Sequence, residues 1–339
     1  MRPWILLERA NSRATSIDLD MGTYPCHWPH GLMFHRFHRE GTRPLGQGSI
    51  TDVEFEAILR YVGPERILGP REWLARVKTG TLENTDICIT FDDGLKSPFE
   101  VALPVLNRLG LKSFWFVPST ALNGSVDRNE IASYLATSQF SSFEEFAGRF
   151  EQHALLAGDK LSSKEFIEFS GSLKERFPFY SDVDIRFRYI RNFLLSRNEF
   201  EAIVDRMIGE AGLVVTEIAS HLWMTKEDIL SLHQGGHAIG LHSLSHPFIL
   251  ASLPLSTQEA EYKTNHQHLA AITGSSPESM SHPLNSYSKE TLGVLQKLNI
   301  ACGFCSNMSV PEGSKSVNPS SLEFARVDSA ELLKMTKAI

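Results

Sequence analysis

Two adjacent aspartates, Asp92 and Asp93, end an apolar run in "ICITFDDGLKS" (87–97), and two histidines, His242 and His246, stand four apart in "HSLSH". Neighbouring carboxylates repel, and aspartate is a poor strand former. An aspartate pair at the end of a buried-looking strand is therefore either a turn with Gly94 or a site with its own counter-charge. One carboxylate and two imidazoles suit a divalent cation and leave coordination positions open, as catalysis needs. The second carboxylate is then free to act as a base. Read alone, Asp-Asp-Gly is an ordinary turn, and HxxxH outside an HExxH context is an ordinary structural pair. Placement tips the balance towards a metal. Each cluster follows a separate strand-like run: Asp92 and Asp93 after "ICITF", His242 after "HAIGL", and His282 with Pro283 at the end of "ESMSH".

The elements that must position these groups alternate. A helix over about 97–109, with Ser97 as N-cap, Pro98 at the first position and Gly110 at the end, precedes the strand "SFWFV" (113–117). A helix opening on the box-like pair Thr225 and Asp228 precedes "HAIGL" (237–241), and a third over about 289–298 precedes "IACGF" (300–304). A further helix over 256–273 carries a Ser256/Glu259 cap signature, and "GLMFHRF" (31–37) reads as the first strand. Such alternation argues for parallel βα units. Six or seven units in one domain suggest a barrel, in which the C-terminal strand ends form one rim. Adjacent strand residues face opposite ways, so Asp92 and Asp93 share a site only if the chain bends, as Gly94 permits. One helical turn through 242–246 would align both imidazoles.

The rhythm breaks over 122–211, which is helix-like and aromatic. Phe143, Phe146 and Phe150 recur at helical spacing, the mark of ordinary packing. The domain expectation is an N-terminal arm over 1–25, a barrel over 26–121 and 212–339, and a helical insertion over 122–211 on one barrel loop, where it would shape substrate access.

Composition bounds the rest. The chain has 339 residues, 42% of them hydrophobic, and a net charge of −7 with both signs mixed, which affords a sizeable core and offers no basic block for nucleic acid. No apolar run is long enough for a membrane span, and "MRPWILLERANS" is too short in its apolar part for a secretory signal, so the expected location is cytoplasmic. Cys26, Cys88, Cys302 and Cys305 form no disulfide framework, and the lone CxxC reads as buried free thiols.

"TFDDG" (90–94) together with "HSLSH" (242–246) resembles the NodB-homology polysaccharide deacetylases, carbohydrate esterase family four. The resemblance continues through "ALPVLNRLGLKSFWFV" and covers most of the chain outside the helical insertion. It implies a deformed (β/α)7 TIM-like barrel and metal-dependent removal of acyl groups from amino sugars. Carried over residue by residue, it implies Asp92 as catalytic base and Asp93, His242 and His246 as metal ligands. "SHPLNSY" (281–287) resembles the third family motif only in Pro283, and the backbone N–H of Leu284 would then help hold the oxyanion. That motif usually carries an arginine near the base, and none stands before Pro283. Arg326 is a candidate base-orienting residue, although an ordinary ion pair is the simpler reading of it.

No histidine follows His282, where usual members carry their general acid. A rearranged branch of the family carries that motif early, as "YHR", and "MFHRF" (33–37) matches it, which assigns the acid to His35. His38 and His282 are the weaker candidates. The expected function is a metal-dependent N-deacetylase of an amino sugar or sugar conjugate, with one divalent ion: zinc first, with cobalt, nickel or iron as alternatives. The alternatives are a deformylase of the same fold and a non-catalytic carbohydrate-binding protein. The expected partner is a carbohydrate substrate. Oligomeric state is not readable.

Overall fold

Among the described residues, seven short strands form one parallel sheet: β1 (His30–Phe34), β4 (Ile87–Phe91), β5 (Phe114–Val117), β6 (Ala238–Leu241), β7 (Ser279–Ser281), β8 (Cys302–Phe304) and β9 (Arg326–Asp328). Between β1 and β4 in the chain, β2 (Phe37–His38) and β3 (Ile50–Thr51) pair in a separate small sheet. The order in the large sheet is β8-β7-β6-β5-β4-β1-β9. Its register places Phe34 opposite Phe91 and Gly31 opposite Arg326. The computed structural model describes residues 24–337 apart from 26, 45, 125, 155–160, 162, 177–180 and 312. The N-terminal arm expected over 1–25 therefore lies almost wholly outside the described residues, as does Cys26.

The sheet nearly closes. Phe304 of β8 bridges Phe324, just before β9, and Phe324 exchanges backbone bonds with Gly303 and Cys305 across the seam. Gly303 is required there, because a side chain would run into the Leu322 backbone. Helices flank the strands: α1 (Asp52–Val62), α2 (Pro70–Thr79), α3 (Leu103–Leu109), then α10 (Lys226–Gln234), α11 (Leu255–Thr273), α12 (Lys289–Lys297) and α13 (Ser329–Lys337). Strands buried on both faces read as continuous apolar runs, and Ile87, Ile89, Phe91, Trp115, Val117 and Leu241 join α-helical Leu59, Leu106 and Leu295 in one core.

Four local expectations change. The first strand stops at Phe34, and the chain leaves the large sheet for β2, so His35 sits at a break. Ser97 makes no cap bond. Its hydroxyl accepts from the Phe37 N–H, and the helix opens as a wide turn over Pro98–Ala102. Helix α11 starts after Pro254, which leaves Ser256 and Glu259 inside it. The seventh strand, β9, is not among those the sequence pattern marks. The Thr225/Asp228 box does cap α10. Cys88, Cys302 and Cys305 are free and buried, and the Cys302 sulfur accepts from Trp73 Nε1.

A second compact unit comprises 126–221 with the short stretch 43–47, and so reaches beyond the 211 expected. Residues 126–221 lie in sequence between β5 and β6, and 43–47 between β2 and β3. The unit is built from α4 (Arg128–Ser138), α5 (Phe143–Ala154), α6 (Lys164–Arg176), α7 (Asp182–Tyr189), α8 (Arg197–Glu210) and α9 (Val215–Leu222). The Phe143, Phe146 and Phe150 stripe is packing: Phe146 and Phe150 are buried, and Phe150 meets Phe187 edge-on at 5.0 Å.

Candidate active site

All the sequence-predicted site residues belong to the barrel unit. Parallel register sets the first contact. Phe34 lies opposite Phe91, so the residues that follow, His35 and Asp92, emerge side by side, and Asp92 N–H donates to the Phe34 carbonyl. His35 Nε2 stands 3.9 Å from Asp92 Oδ2 and the ring is partly exposed, as a group that meets substrate must be.

The two aspartates separate through a backbone reversal. Asp93 itself takes the left-handed conformation, with φ of 69°, and Gly94 follows with φ of 63°. The bend therefore begins one residue earlier than the glycine suggested. Asp93 Oδ1 lies 3.3 Å from His242 Nε2 and 3.5 Å from His246 Nε2. One ligand atom from each of the three lies within 4.8 Å of the others.

The histidines do not come together by a helical turn. Residues 242–246 form an irregular loop in which Ser243 and His246 have positive φ, and the His246 N–H donates to the Ser243 hydroxyl. Helix α11 holds this loop. Asn265 accepts the His242 N–H and donates to the Val117 carbonyl, and Glu261, one turn earlier, accepts both the N–H and the hydroxyl of Ser245. His242 Nδ1 donates to the Ser281 carbonyl at 2.9 Å, so Nε2 is the nitrogen that faces Asp93, a donor to it in the protonated ring and a lone pair for a metal in the neutral one.

Arg326 does far more than make an ordinary ion pair. It is fully buried, and each of its five N–H groups has an acceptor. Nη1 donates to Asp92 Oδ1 at 2.8 Å and to Thr90 Oγ1 at 3.0 Å. Nη2 donates to Asp92 Oδ2 and to Ser281 Oγ, both at 2.7 Å, and Nε donates to the Cys305 carbonyl at 2.6 Å. Because Ser281 accepts from arginine, its own proton goes to Asp92 Oδ2, at 3.1 Å.

The electrostatics follow. Burial pushes the Asp92 carboxyl up, but the Arg326 charge and the neighbouring His242 outweigh it and hold the group below the usual carboxylate range. For Asp93 burial is again opposed, by the hydrogen bond with His242 and the charge of His246, and the carboxyl lies well below its usual value. Burial pulls His242 down, yet Asp92 and Asp93 raise it.

His282 does not stand on the open rim. It is buried, its Nε2 donates to the Leu322 carbonyl, its ring stacks on Tyr287 at 4.1 Å, and burial lowers its pKa to about 4. It therefore faces the interior, unlike the partly exposed His35. His38 is on β2 with its ring bonded to Ser49. Pro283 is buried, while Leu284 is 42% exposed with φ of 49° and Asn285 follows at 57°. Of the six non-glycine residues with positive φ among those described, five fall on the three motif loops, which is where backbone strain concentrates when a site is built from it. Ser281, Thr90, Asn265 and Glu261 escaped the sequence reading. Only Ser281, one residue before His282 at a strand end, carried a signal that could have flagged it.

The parallel α/β barrel carries on one rim a carboxylate–imidazole cluster, which is a candidate metal centre, beside an arginine-held aspartate. The family model for polysaccharide deacetylase matches residues 203–303, which include both rim histidines and the Pro283 motif. Among solved structures, the Streptococcus pyogenes deacetylase PplD in complex with acetate is similar with a TM-score of 0.52 at 16% identity, over 92% of this chain and 99% of that one. IcaB from Ammonifex degensii is similar with a TM-score of 0.52 at 13% identity, over 92% and 97%. A de-N-acetylase from Aggregatibacter actinomycetemcomitans has a TM-score of 0.50 at 10% identity, over 89% and 95%. No curated protein matches the chain in sequence. The family match thus covers part of the barrel, and the solved deacetylases share the fold over most of the chain.

Proposed function

We propose that the protein is a metal-dependent N-deacetylase that hydrolyses the acetamido group of an amino-sugar oligosaccharide or sugar conjugate, in cell-envelope or oligosaccharide synthesis in the cytoplasm. The observation that carries this is the division of labour between Asp92 and Asp93: one is gripped by Arg326 beside His35, the other faces two imidazole nitrogens. The donor set fits a divalent cation. Three ligand atoms converge, and the Ser281 carbonyl fixes His242 in the tautomer that offers Nε2. Two imidazoles and one carboxylate suit zinc best, with cobalt, nickel and iron also accepted. A cation held there would polarise the amide carbonyl and acidify water.

The chain supplies the rest. Asp92, kept ionised by Arg326, takes the proton of the attacking water. Its carboxylate cannot turn, because both oxygens are held. His35, partly exposed and 3.9 Å from that carboxylate, gives a proton to the departing amine nitrogen, a contribution of about 10²–10⁴-fold. The Leu284 N–H, beside buried Pro283, is the candidate donor to the oxyanion.

The test is acetate release from N-acetylglucosamine oligomers by the purified protein, with metal content measured before and after chelation. The reading expects about one divalent ion per chain, loss of acetate release on chelation, and recovery with zinc or cobalt. Formate release from N-formyl analogues without acetate release would make it a deformylase. Carbohydrate binding with no product, whatever the metal content, would make it a binding protein.

A further inference from the structure

Arg326 reaches the base from across another strand. Asp92 follows β4 and Arg326 opens β9, and β1 lies between those two strands in the sheet. The residue of β1 in register with Arg326 is Gly31. A Cβ built on Gly31 would lie 2.9 Å from Arg326 Cγ, 3.1 Å from its Cδ and 3.3 Å from Thr90 Cγ2. These are stem atoms close to the arginine backbone, and the guanidinium beyond them is fixed by all five of its bonds. The stem has no free end that could swing aside. The backbone at Gly31 is one that any residue adopts, so its conformation does not call for glycine. A glycine inside a buried strand weakens that strand, and it commonly marks a close approach.

We propose that Gly31 is a positioning residue for the catalytic base: its missing side chain is the gap through which Arg326 crosses β1 to clamp Asp92. This rests on the reading of Asp92 as base held by Arg326. A methyl group at position 31 displaces the arginine stem, and with it the two bonds that orient the Asp92 carboxylate.

The test is a double-mutant cycle of Gly31→Ala and Arg326→Ala in the full chain, read in two ways. The first is hydrolysis of 4-nitrophenyl acetate by the zinc-loaded proteins. The second is thermal melting of the metal-free proteins. Gly31→Ala is expected to lower kcat by about tenfold or more with KM within about twofold. The double variant should match Arg326→Ala alone, since the methyl then has nothing to displace. Melting should follow the same pattern, with a fall in the wild-type background and none in the Arg326→Ala background. Additive losses in both readouts would overturn the proposal, because the methyl would then act on strand β1 itself. Should Gly31→Ala fail to fold, a folded double variant supports the proposal and an unfolded one overturns it. Full turnover in Arg326→Ala would remove the underlying reading of the base, an outcome distinct from additivity.

Discussion

Asp92 and Asp93 are one peptide bond apart, both buried, and yet they live in different halves of the site. Asp92 is surrounded by β9, β7 and β1 through Arg326, Ser281 and His35. Asp93, turned away by its own positive φ, meets the loop after β6 through His242 and His246. The difference lies in the kind of positive charge each receives. A guanidinium cannot give up its proton in a protein, so Asp92 is compensated whether or not the centre holds a metal. Imidazoles carry charge only when protonated, so Asp93 has an exchangeable counter-charge that a divalent cation can replace. The repulsion between the neighbours is thus relieved on the Asp92 side by the fold itself, and only the Asp93 side depends on what is bound.

Swapping the two carboxylates for amides is the hardest test of that separation. Asp92→Asn should lower turnover by about 10³-fold, the scale of a lost general base, while about one ion per chain stays bound. Asp93→Asn should lose both activity and metal. Metal analysis beside kinetics reads the outcome, and loss of the ion from both variants would mean the halves are not separable. The Asp92→Asn protein should also melt lower, since breaking a buried pair by removing one partner costs about 3–5 kcal/mol.

His35 sits on the Asp92 side but in the proposed reaction serves the leaving group, so the effect of its removal should depend on what leaves. His35→Ala should cost about 10²-fold on an N-acetyl sugar, where an amine must be protonated, with metal retained. On 4-nitrophenyl acetate, whose phenolate departs without a proton, the loss should nearly vanish. An equal loss on both substrates would show that the histidine acts on Asp92 or on folding instead of on the departing nitrogen.

The Asp93 half was legible in the sequence because each of its two pieces is a local motif. Asp93 stands two residues past a five-residue buried strand, and the histidines lie within one pentapeptide. Even so, their spacing suggests the wrong way of meeting: a loop of left-handed residues pinned by Asn265 and Glu261 replaces the helical turn. The Asp92 half is assembled from residues 31, 35, 90, 281 and 326, and pairings at such separation leave no periodic trace. Strand β9 is three residues long, too short for alternation to reveal, so Arg326 could not be seen to open a barrel strand. His282 illustrates the converse. Its place at a strand end suggested the rim, but its ring turns inward onto Tyr287 and the Leu322 carbonyl.

Ser281 touches both halves, and its two groups should prove unequal. Its backbone carbonyl holds His242, and its hydroxyl passes a hydrogen bond from Arg326 to Asp92. Substitution by alanine removes only the second. One buried N–H of Arg326 then lacks an acceptor, a cost of about 1–3 kcal/mol, and Asp92 loses the serine donor while keeping both from arginine. Ser281→Ala should therefore lower kcat by about tenfold or less, well short of Asp92→Asn, with KM little changed. Zinc affinity, measured by competition with a chelating dye, should hold, since the carbonyl that orients His242 remains. A loss of about tenfold or more in affinity, the usual effect of disturbing a group that orients a metal ligand, would mean that the hydroxyl belongs to the Asp93 half and that the two aspartates are coupled through it.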